Sequence, residues 1–315
     1  MITVIIPCYR VKNQILNVLE KIGPEVQKIY VVDDCCPEGS GKLVMEKSKD
    51  PRVEVLFHKS NLGVGGSMKT GYSRALEDCA EIMVKIDGDG QMDPVHIPRF
   101  IEPLKNLQAD YVKGNRFYDL SGLTGMPGMR RFGNSILSFV NKMVSGYWNI
   151  MDPTNGFTAI SASALKHLPL DKIDNRYFFE QDMLFRLNSV RAVVVDMPMN
   201  AAYNQENSSL KIWKVFFGFP FKYLKRILKR IFYSYFLRDF NIGSLELVLA
   251  FLFTSFGVIF GTIKWAHSIL SNQPATAGTV ILAGLPIILG FQSFLAFLHF
   301  DLMNIPQKPL GSFEI

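Results

Sequence analysis

A mostly parallel α/β sheet covered by helices, leading into basic aromatic helices and then a two-helix transmembrane hairpin, is the architecture this 315-residue sequence predicts. Three observations carry it. Up to about residue 205, short β-rich apolar runs alternate with stretches of helical period. Residues 211–238 then hold eight Lys or Arg and no acidic residue, and beyond them lie two long segments almost free of charge.

The strand candidates are Thr3 to Ile6, Lys28 to Asp33, Val53 to Phe57, Ile82 to Ile86, Tyr111 to Lys113, Phe157 to Ile160 and Ala192 to Val195. Between them run three helical stripes: Ile15, Val18, Leu19 and Ile22; Met68, Tyr72, Ala75, Leu76 and Cys79; and Ile97, Ile101, Leu104 and Leu107. Several strands are apolar on both faces, as buried parallel strands are, and ligands of such sheets bind at the carboxyl ends of the strands.

From Lys211 to Arg238 the basic residues interleave with ten aromatics, a composition that predicts an interfacial helix pair broken near Pro220. Leu247 to Ile263 is 17 residues without a charge, and Trp265 to Phe300 contains no Asp, Glu, Lys or Arg. A span takes about 20 mainly apolar residues, so spans are expected at about 246–267 and 277–299, joined by the polar turn Ser271 to Pro274. Gly257, Gly261, Gly284 and Gly290 would let the two helices approach closely. The basic strip before the first span and Lys308 after the second put both ends on the cytoplasmic side, with Lys264 and His267 snorkelling at the far interface. The expected division is residues 1–207, 208–240 and 241–315.

Composition sets the outer bounds. With 48% hydrophobic and 20% charged residues and a mean hydropathy of +0.15, the chain is neither mainly membrane spans nor disordered. The +6 balance is local: outside residues 211–238 the count is 26 basic against 28 acidic. Nucleic acid is disfavoured as a partner because the basic segment abuts the spans. Cys8, Cys35, Cys36 and Cys79 form no CxxC pair or zinc spacing and read as small apolar residues in a reducing compartment. Met1 leads directly into an apolar strand, the pattern expected of a chain without a signal peptide.

The segment richest in chemistry is Val84-Lys85-Ile86-Asp87-Gly88-Asp89-Gly90-Gln91-Met92-Asp93-Pro94. A strand ending in Asp-x-Asp sets two carboxylates at the carboxyl edge, and such hard oxygen ligands suit Mg²⁺ or Mn²⁺ shared with substrate phosphates. Gly63 to Gly71 lacks the third Rossmann glycine, and no GxxxxGK[ST] occurs. That glycine-rich stretch either brings backbone close to a diphosphate or packs a helix on the sheet.

With these motifs stand Val4-Ile5-Ile6-Pro7-Cys8-Tyr9, Val31-Val32-Asp33-Asp34, Asn61-Leu62-Gly63 with Lys69 and Gly71, Gly114-Asn115-Arg116 and Asp152-Pro153-Thr154-Asn155-Gly156-Phe157. In this order, over roughly residues 1–205, the chain resembles family 2 glycosyltransferases of GT-A fold, in particular dolichyl-phosphate mannose synthases and bacterial polyprenyl-phosphate glycosyltransferases. The resemblance implies a nucleotide-sugar pocket of Pro7, Tyr9, Asp33, Asp34, Lys69 and Asp87. It implies a metal held by Asp89 and Gln91 with Asp87, and Arg116 facing a phosphate. Arg130, Arg131 and Lys211 are further cations that could reach phosphate. The pattern departs at Arg10 and in Tyr203 to Lys211, which lacks the arginine usual before the acceptor-phosphate lysine.

Two acceptors remain open. A sugar hydroxyl has to lose a proton, so it requires a carboxylate base, Asp152 first and then Glu180 or Asp182. A lipid phosphate is already a nucleophile. The expected activity is metal-dependent, inverting transfer of one sugar from a UDP- or GDP-sugar to a polyprenyl phosphate at the cytoplasmic membrane face. The alternative acceptor is a hydroxyl of a lipid-linked saccharide or glycolipid, and the alternative class is a non-catalytic membrane adaptor that binds nucleotide-sugars. Membrane lipids are expected partners, and a homo-oligomer is compatible with the sequence.

Overall fold

The computed structural model describes residues 1–118, 128–199 and 212–313, with side chains omitted at 128–132, 134 and 212–219. The chain forms two compact units, residues 1–227 with 306–315, and residues 228–305.

In the first unit, β1 (Ile2–Cys8), α1 (Ile15–Glu20), β2 (Lys28–Asp33), α2 (Ser40–Lys47), β3 (Val53–Phe57), α3 (Val64–Glu77) and β4 (Ile82–Lys85) alternate strand and helix. They continue as α4 (Ile97–Lys105), β5 (Tyr111–Asn115), α5 (Gly128–Ser145), β6 (Thr158–Ser161), α6 (Ala162–Lys166), α7 (Phe179–Ser189) and β7 (Val194–Pro198). The sheet order is β3-β2-β1-β4-β6-β5-β7. Among the described strands only β6 runs against its neighbours, antiparallel to both β4 and β5, so the other six share one direction and one carboxyl edge.

The expected strands are all present, their ends shifted by a few residues. Val4, Ile6, Val31, Val84, Val112 and Phe157 are fully buried, and Phe100 of α4 stacks on Phe157 with centroids 4.0 Å apart. Apolar side chains leaving water on both faces of the sheet supply the main driving force for this layering. Two stripe assignments need correction. Cys79 and Leu107 lie beyond their helices, exposed and at φ 58° and 53°, because each chain turns through a left-handed residue just after the helix ends. Of the cysteines, only Cys8 is buried; Cys35 and Cys79 are exposed and Cys36 is half-buried.

Helix α8 (Ile212–Phe232) corrects a second expectation. It runs through Pro220 without a break, and the distortion comes later, as a π-helical turn over Tyr233–Leu237. Not all of its positive charges face outward. Lys222 pairs with Asp174 and Arg226 with Asp182, whereas Lys225 and Lys229 stay exposed.

The second unit is built on α9 (Ile242–Ser271) and α10 (Ala277–Met303), both long and apolar enough to cross a membrane and mostly uncovered by protein. Asn241 caps α9 with a reciprocal capping box, and Asn272 ends it at φ 51°. A Cβ at Gly257 would meet Ile287 at 2.6 Å and the Ala283 carbonyl at 2.7 Å, and one at Gly290 would press on Thr254. Gly261 is looser, 3.3 Å from the Ala283 Cβ, and Gly284 faces open space, so two of the four expected contact glycines seat the pair. At the base of this unit the buried Arg230 forks onto Asp301 at 2.6 and 3.0 Å, and the Tyr235 hydroxyl donates to Asp301 at 2.6 Å.

Candidate active site

Strand register gathers the motifs at one edge. β1 and β2 pair as far as Cys8 and Asp33, and β4 ends at Lys85, opposite Thr158 of antiparallel β6. Thr158 also faces Lys113 of β5, so the segment before β6 and the residues after β5 emerge beside the end of β4. Asp87, Asp152 to Phe157 and Arg116 thereby become neighbours although widely spaced in the chain.

On the β1–β2 side, Tyr9 is 41% exposed and Pro7 half-buried. The two carboxylates ending β2 have work within the chain. Asp33 accepts from Cys36 N at 2.8 Å and Gly41 N at 2.7 Å. Asp34 accepts from Leu62 N at 2.8 Å and Gly63 N at 2.7 Å, with His58 Nδ1 2.8 Å away. Both are nearly fully buried, and they shape the loops that border the edge. Gly63 sits at φ 88°, a conformation in which L side chains are strained, and its place opens α3.

At the end of β4, Asp87, Asp89 and Gln91 are half-buried, and Asp89 Oδ1 accepts from Gln91 N at 3.0 Å. The Lys85 ammonium donates to Asp87 Oδ1 at 2.8 Å and to the Gly156 carbonyl at 3.1 Å, and stands 3.4 Å from Glu180 Oε1. Burial opposes charge on Lys85, but Asp87 and Glu180 outweigh it and hold the pKa above the ordinary lysine value. Gly156 allows a close approach: a Cβ there would lie 2.5 Å from Asp87 Oδ2 and 2.6 Å from Lys85 Nζ, and those side chains would have to shift.

Asp152 is fully buried and clasped by Arg116, Nε to Oδ2 at 2.7 Å and Nη2 to Oδ1 at 3.1 Å, with the Arg116 amide on Oδ2 at 3.3 Å. Thr154 Oγ1 donates to Asp152 Oδ1 at 3.2 Å. Behind this fork, Asp196 accepts from Met151 N at 2.8 Å and Asn115 Nδ2 at 2.9 Å, and burial pushes its pKa up to about 6. Lys113 donates to the Asn155 carbonyl at 2.6 Å. Its burial brings the pKa down to about 8, against the pull of Glu180, Asp152 and Asp196.

The remaining candidates divide. Glu180 joins the cluster through Lys85. Asp182 is fully buried, with Arg186 Nε at 3.1 Å, Arg226 Nε at 2.5 Å and the Asp174 amide at 2.9 Å on its oxygens, so it holds helices together and is not open to a substrate proton. Lys69 donates to the Ile173 carbonyl at 3.0 Å, and burial lowers its pKa. Lys211 lies outside the described residues, as do the side chains of Arg130 and Arg131, which belong to α5. Sequence reasoning passed over Lys85, Lys113 and Asp196. A lysine inside an apolar buried strand, two residues before a motif residue in each case (Asp87 and Asn115), is the signal that could have found the first two.

The donor set fits a divalent cation. Two half-buried carboxylates and an amide oxygen at alternate positions of one five-residue stretch are hard ligands, and substrate oxygens would complete their coordination. Among the described residues no group of three or more His, Cys, Asp or Glu closes into a cage of its own.

Residues 3–168 match the family described as Glycosyl transferase family 2. The Methanococcus voltae protein named UDP-N-acetylglucosamine–dolichyl-phosphate N-acetylglucosaminyltransferase is 30% identical over 243 residues, 73% of this chain and 96% of its own length. The undecaprenyl-phosphate mannosyltransferase of Micrococcus luteus is 30% identical over 199 residues, 62% of this chain and 81% of that protein. In three dimensions the chain is similar to glucosyl-3-phosphoglycerate synthase from Mycobacterium tuberculosis in complex with uridine diphosphate, with TM-score 0.53 and 16% identity, covering 73% and 79% of the two chains. That likeness is one of fold and assigns the sheet to the GT-A class. A sequence match running through more than half of the chain, with a relative aligned over nearly all its own length, makes this protein a member of glycosyl transferase family 2 and a glycosyltransferase.

Proposed function

We propose that the protein transfers a single sugar, with inversion, from a UDP- or GDP-sugar to a polyprenyl phosphate at the cytoplasmic face of a membrane. The observation that carries the choice of acceptor is the Arg116–Asp152 fork. A general base must reach the proton it removes, yet both oxygens of Asp152 are held by one guanidinium and the side chain is fully buried. A phosphate acceptor needs no such base. Arg116, whose side chain stays 31% exposed beside its pairing with Asp152, is a cation of the kind that recognises phosphate oxygens. Relatives named for transfer to dolichyl or undecaprenyl phosphate support the same reading.

On this reading Pro7 and Tyr9 border the nucleotide, and Asp33 and Asp34 set the loops around it. Asp89, Gln91 and Asp87 would hold Mg²⁺ or Mn²⁺, which would offset charge on the departing diphosphate. Gly156 leaves room for Asp87, and Asp152 holds Arg116 in line with the phosphate. Acceptor oxygen attacks the anomeric carbon as the diphosphate leaves from the opposite side, giving inversion. Helices α9 and α10 anchor the enzyme in the bilayer that carries such a lipid, and the basic strip before α9 favours the cytoplasmic side.

The test is incubation of the purified full chain with labelled UDP- and GDP-sugars, Mg²⁺ or Mn²⁺ and undecaprenyl phosphate. Metal-dependent formation of one glycosyl phospholipid is expected. Transfer only to a saccharide or glycolipid hydroxyl would overturn the acceptor and restore the need for a base.

A further inference from the structure

Two lysines inside the sheet have an unusual target. Lys85 on β4 and Lys113 on β5 both pair in register with Thr158 of the intervening β6, so the three side chains stand in one row on the same face. Lys85 is 1% and Lys113 0% exposed. Their ammoniums donate to consecutive carbonyls, Lys113 to Asn155 at 2.6 Å and Lys85 to Gly156 at 3.1 Å. Burying an ammonium is costly unless its donors are satisfied. Lys85 has Asp87 and Glu180 beside it, but among the described residues Lys113 has no carboxylate within ion-pair distance. What Lys113 grips is the backbone of the segment that carries Asp152.

We propose that Lys113 and Lys85 are positioning residues: a two-cation mount under the Asp152–Gly156 segment that sets the Arg116–Asp152 fork against Asp87. Arg116 holds the front of the segment through Asp152, and the two ammoniums hold its back at Asn155 and Gly156. Lys85 also grips Asp87, so one ammonium joins the donor side of the crevice to the acceptor side. Charge-assisted hydrogen bonds are stronger than neutral ones, so the mount depends on protonation. Lys113 is the member that titrates within reach, near pH 8, facing Glu180, Asp152, Asp196 and Lys85. The mount rests on the reading of this crevice as the transfer site, but its mechanical half can be tested without turnover.

Hydrogen–deuterium exchange of the full chain in detergent, without substrates, would compare wild type with Lys113→Met. The Asp152–Phe157 amides should exchange about tenfold faster in the variant, with α3 and the β1–β2 strands unchanged. In wild type, exchange of that segment corrected for intrinsic base catalysis should rise between pH 7 and 9, a rise the variant lacks. Lys113→Gln, which keeps a donor without charge, serves if the methionine variant does not fold, and should give a smaller acceleration. In turnover, kcat should fall by about 10- to 100-fold with the donor KM within about threefold, the signature of a misplaced acceptor side. Unchanged loop exchange, acceleration spread evenly through the sheet, or a raised donor KM at unchanged kcat would overturn the mount. If wild type transfers no sugar to polyprenyl phosphate, the proposed reaction falls, and the exchange measurement still decides the mount.

Discussion

Asp152 and Asp182 show how much a single carboxylate's role depends on what surrounds it. Both were candidate bases by residue type and position, and both are fully buried beneath guanidinium groups. The Asp-x-Asp motif at the end of β4 was readable in one dimension, because a strand end and two carboxylates suffice to define it. Which acids are open and which are committed was not, since Arg116 and Arg226, which help cover them, lie 36 and 44 residues away. Replacing Asp89 by Asn should cut transfer by about 10²- to 10³-fold and remove the metal dependence of donor binding, read by turnover and by thermal shift with and without Mn²⁺. Asp196 gives a pH test. Its folded pKa of about 6 lies above the ordinary carboxylate value, so the native state binds more protons between about pH 4 and 6 and unfolding free energy falls as pH rises through that window. In Asp196→Asn this fall should be absent, so unfolding midpoints measured from pH 4 to 7 should converge on or overtake wild type toward neutrality. A parallel pH dependence in both proteins would contradict the assignment.

Elements were easier to read than their ends. Apolar runs marked every strand, whereas helices α2, α5, α6 and α7 went unmarked; α2 and α6, at eight and five residues, are too short for a helical period to show. Pro220 predicted a break and α8 continues through it, so a proline's lost hydrogen bond is accommodated within a helix of 21 residues. At the start of α3, Gly63→Ala should destabilise by about 1–3 kcal/mol, measured by thermal or denaturant unfolding, because it strains a φ of 88° and drives a Cβ onto the Asn175 carbonyl. In the hairpin, Gly257→Leu should lower stability by about 1–3 kcal/mol through overpacking, whereas Gly284→Leu should leave the detergent-phase melting midpoint nearly unchanged. Equal losses at the two sites would contradict the packing of α9 on α10.

For the whole molecule, the excess positive charge divides in a way composition could not reveal. Lys222, Arg226 and Arg230 answer acidic groups of the protein itself, leaving Lys225 and Lys229 as exposed cations of the described part of α8. Their exposed apolar companions Phe221, Leu224, Leu228 and Phe232 recur at intervals of three and four residues, a stripe suited to a lipid interface. A family 2 transferase unit joined to two membrane-length helices is coherent if its acceptor is itself a lipid, and the fork on Asp152 favours a lipid that needs no deprotonation. The most direct measurement offers the purified full chain undecaprenyl phosphate and undecaprenol side by side, with the same labelled nucleotide-sugar and Mn²⁺. The expected result is product from the phosphate alone, with an inverted anomeric centre. Product from the free alcohol at a comparable rate would contradict it, because that hydroxyl would demand a carboxylate base other than the Arg116-bound Asp152.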